Sequence, residues 1–139
     1  MNIIGFNFTK ISVERKSLER GDLKINSNLE VNEIEEAKFP IFDSKEAMLA
    51  IKFNYLFDYD PSIAKLEFKG EILIGLESST AQEVLKKWKD KKVSDEIRIP
   101  LFNLILRKSS IKALELEEEM GLPLHIPLPR LSKEEKEEK

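Results

Sequence analysis

Apolar and polar residues alternate along much of the first half of the chain. Ile4, Phe6 and Phe8 share one phase and Ile11 and Val13 the other, which predicts a long first strand over 3–15 carrying a bulge near Thr9 and Lys10. Arg20-Gly21-Asp22 supplies a turn, and Leu23, Ile25, Leu29 and Val31 then mark a second extended segment. Pro40 breaks the pattern, because proline cannot donate to a sheet ladder, and so predicts a loop that carries Phe39, Ile41 and Phe42. Leu49, Ile51, Phe53, Tyr55, Phe57 and Tyr59 occupy every second position, the strongest period-two signal in the sequence, and predict a third strand from about Met48. Asp43-Ser-Lys-Glu46 has the spacing of a capping box, so a short helix before this strand is the competing reading.

Asp58-Tyr-Asp-Pro-Ser62 reads as a hairpin turn into a fourth strand with Leu66, Phe68, Ile72, Ile74 and Leu76 on one face. Gly70 stands where that face expects an apolar side chain, which implies a kink or the close approach of other atoms. Thr80 and Glu83 are spaced as a capping box for a first helix whose apolar stripe is Ala81, Val84, Leu85 and Trp88; the run from Lys86 to Lys92 is its solvated flank and exit. Pro100 is placed as a first-turn residue of a second helix running to about Met120, with Gly121 as a left-handed cap. The front of this helix (Leu101, Phe102, Leu104, Ile105, Leu106) is apolar nearly all round and should be buried on most sides. Its rear, with Glu115, Glu117, Glu118 and Glu119, reads as a solvated acidic face.

The fold class that follows is α+β: a four-stranded antiparallel sheet followed by two helices, in two layers. One domain spans 1–131 and ends in a proline-stiffened arm at 123–131; the Lys/Glu-rich residues 132–139 read as a disordered tail or frayed helix. At 139 residues, 41% of them hydrophobic, the chain is long enough for one core and too short for two. Its 23 Lys and Arg against 26 Asp and Glu give no support for a broad nucleic-acid surface. The lack of cysteine fits a reducing, cytoplasmic setting, and no apolar run is long enough for membrane insertion. Abundant Lys and Glu with a single glutamine, Gln82, follow a hyperthermophile trend and point to a thermophilic source.

Catalytic machinery is not legible. The single histidine, His125, lies in the proline-rich arm and reads as a polar residue there rather than a metal ligand or proton carrier; with no cysteine there is neither a thiol nucleophile nor a thiolate cage. The carboxylate pairs Asp58/Asp60 and Glu117/Glu118 read as a turn and a solvated helix face, and Gly70 to Gly75 is too strand-like for a phosphate loop. The aromatic row Phe53, Tyr55, Phe57, Tyr59 fits core packing better than base stacking, since no basic groove accompanies it. The reading is therefore a protein that is not an enzyme and uses no cofactor or metal. What stands out is apolar supply beyond the needs of one sheet face, which implies self-association or a polypeptide-binding groove.

Four antiparallel strands and two helices, the second bearing a proline with an aromatic soon after, resemble the SecB export chaperone family. The segments that carry the resemblance are Phe68-Lys-Gly-Glu-Ile-Leu-Ile74, similar to that family's fourth strand, and Ile99-Pro-Leu-Phe-Asn103, similar to its helix-two start. The resemblance implies an ATP-independent holdase that takes unfolded polypeptides into apolar grooves, assembled as a homo-oligomeric dimer or tetramer. It assigns Phe39, Ile41, Phe42, Phe102 and Leu106 to the groove, and Ile4, Phe6, Phe8, Val84 and Trp88 to the oligomer interface. The arm from Leu124 to Leu131 departs from the family pattern, and the tail lacks a docking signal for an export motor. A dedicated interaction or structural subunit with the same fold and no catalysis is the alternative.

Overall fold

A computed structural model describes residues 1–18, 23–37 and 46–133. The elements run β1 (Asn2–Arg15), β2 (Lys24–Ala37), β3 (Glu46–Asp60), β4 (Ala64–Glu77), α1 (Ser78–Trp88) and α2 (Asp95–Glu119). The four strands form one antiparallel sheet in the order β1-β4-β3-β2. β1 and β2 are therefore the two edges, although they are consecutive in sequence. At the end where one stops and the other starts, the backbone N–H groups of Lys16 and Ser17 both donate to the carbonyl of Ile63 in the β3–β4 turn.

Period-two patterning decides which side of the sheet is covered. Leu49, Ile51, Phe53, Tyr55, Phe57 and Tyr59 of β3, with Leu66, Phe68, Ile72 and Ile74 of β4, are nearly inaccessible and form the core with both helices. The reverse face is charged over much of its length: Lys10 pairs with Glu67, and Lys52 lies 3.5 Å from both Glu33 and Glu35. Pairing of β1 with β4 slips between Phe8 and Lys10, where the change of apolar phase predicts it, and again between Ile3 and Gly5. A third irregularity interrupts β2 between Val31 and Glu33. Bulges on both edge strands break up backbone rows that would otherwise template further pairing.

Gly70 is explained by close approach. The Phe53 ring and the Asn7 carbonyl occupy the space of its missing side chain, so that a Cβ there would lie 2.5 Å from Phe53 Cζ and 2.7 Å from Asn7 O. Phe6 and Phe8 of β1 pack against the same ring, with centroids 5.5 and 6.4 Å away.

Two helix starts are corrected, and at β3 the strand reading holds over the competing helix, with a start two residues before Met48. β3 begins at Glu46, so residues 46–50 are strand and not the end of a short capped helix; the turn at Arg20–Asp22, the loop carrying Phe39, Ile41 and Phe42, and residues 134–139 lie outside the described residues. α1 starts at Ser78, with Glu77 at the N-cap and no side-chain cap; β4 pairs with β3 as far as Glu77 and passes straight into the helix, which puts Thr80 inside the first turn. α2 starts at Asp95 and not at Pro100, which is its sixth residue. The stronger start signal is Ser94 in extended geometry followed by Asp95 and Glu96, whose charges favour the positive end of the helix.

The buried residues of α2 are Ile97, Leu101, Ile105, Ser109, Ala113 and Glu117, one every four positions. Ser109 is fully buried and its hydroxyl has no hydrogen-bond partner among the described residues. Ser109→Ala is therefore expected to raise stability by roughly 1 kcal/mol, because it removes an unsatisfied buried polar group at nearly constant volume; a urea-unfolding midpoint measures this. The helix ends as the glycine predicts: Gly121 has φ +65°, its N–H donates to Glu118 O, and the Leu122 N–H reaches back to Glu117 O at 2.8 Å.

Candidate functional site

A groove of about 500 Å³ opens beside the edge strand β2, where the α1–α2 connection and the first turns of α2 meet it. Its apolar lining is Val31, Trp88, Val93 and Phe102; Glu30, Asn32, Lys91 and Arg98 supply the polar part. Each comes from a local device. The slip in β2 falls at Asn32 and interrupts the ladder inside the groove, pairing resuming with Glu33 opposite Lys52. After Trp88 the chain turns through Lys91, a non-glycine residue at φ +58°, closed by hydrogen bonds from Lys91 N–H to Trp88 O and from Lys92 N–H to Lys87 O. Such a conformation costs a β-carbon-bearing residue about 1–2 kcal/mol. It places the Lys91 ammonium 4.5 Å from the centroid of the Trp88 ring. Arg98 is held by Asp95 one turn earlier, at 2.7 Å.

α2 carries a second apolar stripe at this end. Ile99 is 51% exposed and Leu106 38%, and the partly buried Phe102 lies between them at helical spacing. The front of α2 is thus buried along one row, Ile97, Leu101 and Ile105, and open along another, which corrects the expectation of burial on most sides.

The sequence-assigned groove residues divide accordingly. Phe102 lines the groove and Leu106 continues its ridge; Phe39, Ile41 and Phe42 lie outside the described residues. Of the residues assigned to self-association, Ile4 is 54% exposed on the β1 edge and Phe6 and Phe8 are half-buried against Phe53. Val84 is buried beneath α1, and Trp88 lines the groove.

At the other end of α2 is a cluster that pattern reading misses. Glu117, expected on a solvated face, is fully buried. The Tyr59 hydroxyl donates to its Oε2, which also accepts the backbone N–H of His125 at 3.1 Å; Nδ1 of His125 lies 2.8 Å from Oε1. His125, expected as an ordinary polar residue of an extended arm, instead packs edge-on against Phe57 at 4.9 Å between centroids, with its side chain only 9% exposed. Burial first, then the hydrogen bond to Glu117 and the carboxylate's charge, push the Tyr59 hydroxyl well above the usual phenol range. Arg15 completes the anchor by donating from Nη1 to the carbonyls of Met120 and Gly121, at 2.7 and 2.8 Å. The start of the proline-rich arm is therefore fixed to β1, β3 and α2.

The cluster sits in packed core, and among the described residues no group of three or more His, Cys, Asp and Glu side chains is placed to hold a metal ion. Among the same residues no helix is long and apolar enough to cross a membrane.

No protein-family model matches the sequence, and no curated protein is detectably similar to it in sequence. The structure is similar to that of a SecB-like chaperone of Mycobacterium tuberculosis in complex with a ChAD peptide from the HigA1 antitoxin. The TM-score is 0.55 at 15% identity, over 95% of this chain and 91% of that one. The chain has a SecB-like fold. Its four-stranded antiparallel sheet and two helices match that architecture almost end to end.

Proposed function

We propose that this SecB-like protein binds non-native polypeptide segments in the groove between β2 and the start of α2, as an ATP-independent holdase. The observation that carries the reading is the open apolar stripe Ile99, Phe102 and Leu106 beside a groove containing Trp88, Val31 and Val93. Burying a client's apolar side chains there gains roughly 25 cal/mol per Å². The charged remainder of the surface keeps the complex soluble, and no energy source is needed. On sequence grounds the groove extends to Phe39, Ile41 and Phe42, in the connection between β2 and β3. Homo-oligomerisation through the β1 edge, with Ile4 at its surface, belongs to the same proposal.

The test is light scattering of a chemically denatured, aggregation-prone protein diluted into buffer with and without this one. Suppression that is insensitive to salt, and reduced at least tenfold in potency by Phe102→Asp, is the expected result; about 1.4 kcal/mol lost from binding is enough for such a change. Equal suppression by wild type and variant would remove Phe102 from the site.

A second reading has its own support. The structural neighbour was determined with one peptide from one antitoxin, so the groove here could serve a single dedicated partner. A protein of that kind would retain one partner through stringent washing and leave aggregation of unrelated proteins unchanged.

A further inference from the structure

Beyond His125 the arm carries apolar side chains with little over them: Ile126 is 41% exposed, Leu128 54% and Leu131 68%. Pro127 and Pro129 fix φ near −65° and remove two backbone donors, so this stretch is stiffened in extended geometry and loses little freedom on docking. Extended proline-containing segments dock in grooves lined by aromatic rings. The groove beside β2 presents Trp88 and Phe102.

We propose that residues Ile126 to Leu131 of one copy of the chain occupy the Trp88–Phe102 groove of a second copy. The inference rests on the groove being a polypeptide-binding site and makes the arm a competitor of its clients. Reach decides against the chain's own groove. His125 is held at Glu117, fifteen residues along α2 from Phe102, or about 22 Å at the helical rise. Leu128, three residues beyond His125, extends about 9 Å at the polyproline rise, and even Leu131 extends only about 19 Å. Charge agrees with the assignment: Lys91 is engaged over Trp88 and Arg98 by Asp95. Glu30, which accepts a neutral hydrogen bond from Asn28 at 2.9 Å, is left to meet Arg130.

Trp88 is the chain's single tryptophan, so its emission reports on the groove directly. The variant Leu128→Asp/Leu131→Asp alters two exposed side chains and leaves the His125 anchor intact. Its Trp88 emission is expected at longer wavelength than wild type. It should bind fluorescein-labelled, reduced and carboxymethylated lactalbumin about tenfold more tightly if nine wild-type grooves in ten are occupied. A synthetic peptide of residues 123–133 should reverse both changes. Mixing this variant, which has an intact groove, with Phe102→Asp chains, which have an intact arm, should move its Trp88 emission back toward wild type. Failure of the peptide to shift the emission overturns the proposal, as does failure of the mixture. The groove reading fails separately, if Phe102→Asp leaves binding of the labelled lactalbumin unchanged. Loss of that binding, with wild type and arm variant indistinguishable, keeps the groove and eliminates the arm.

Discussion

Replacing Glu117 with alanine is expected to destabilise the protein by about 3–5 kcal/mol, the range for removing one partner of a buried charged network. The substitution strands three groups at once: the Tyr59 hydroxyl, the His125 backbone N–H and the His125 ring. Each costs roughly 1–3 kcal/mol when left buried without a partner, less whatever water can enter the space. Relief comes by releasing the arm. Amide exchange at His125 and Ile126 should therefore accelerate in the variant more than exchange in β3 and β4. Tyr59→Phe removes one of the stranded donors, so the double variant should lose less than the sum of the two single changes. Additive losses in urea unfolding would mean that Tyr59 and Glu117 do not act as a unit.

The same cluster gives a pH dependence with a definite sign. The folded-state pKa of Tyr59 is raised, so its contribution is fully present below the unfolded tyrosine value of about 10. Above that value the unfolded chain releases the proton while the folded chain keeps it, and stability falls as pH rises. Tyr59→Phe should flatten this alkaline decline. In an ultraviolet absorbance titration, Tyr59 should ionise only as the fold is lost.

Ile97, Leu101 and Ile105 declare the buried row of α2, but its continuation through Ser109, Ala113 and Glu117 has no apolar signature and is hidden in an acidic stretch. Only the four-residue spacing could have shown it. His125 becomes Glu117's partner because Gly121 reverses the chain at a left-handed turn, a geometry visible as a cap but not as a contact. The sheet was legible because the apolar residues of β3 and β4 alternate, broken only at Gly70, and the bulge in β1 because its apolar residues change phase. The start of α2 was obscured by Pro100, which resembles a first-turn residue but sits inside the helix, five residues beyond the true start after Ser94. Trp88 and Phe102 were each conspicuous in the sequence. That they share a groove with Val31 follows from the placement of β2 at the sheet edge, which no local pattern specifies.

Gly70→Ala is expected to cost about 3 kcal/mol, the upper part of the range for overpacking. An added methyl at this position would overlap the Phe53 ring and the Asn7 carbonyl at once. The ring could turn aside, but Phe6 and Phe8 already pack against it; Asn7 belongs to β1, which is paired with β4 on either side of the contact. Phe53→Ala alone should cost about 3–5 kcal/mol, the usual penalty for emptying a buried aromatic site. Combined, the two changes should be strongly non-additive, because alanine at 53 opens the space that a methyl at 70 needs, leaving only the contact with Asn7. Since β1 is an edge held to the body through β4, the single Gly70→Ala variant should show its damage first as faster amide exchange in β1. If Gly70→Ala instead costs the same with and without Phe53, the clash that matters is with the Asn7 backbone, and the glycine serves strand pairing rather than the aromatic cluster.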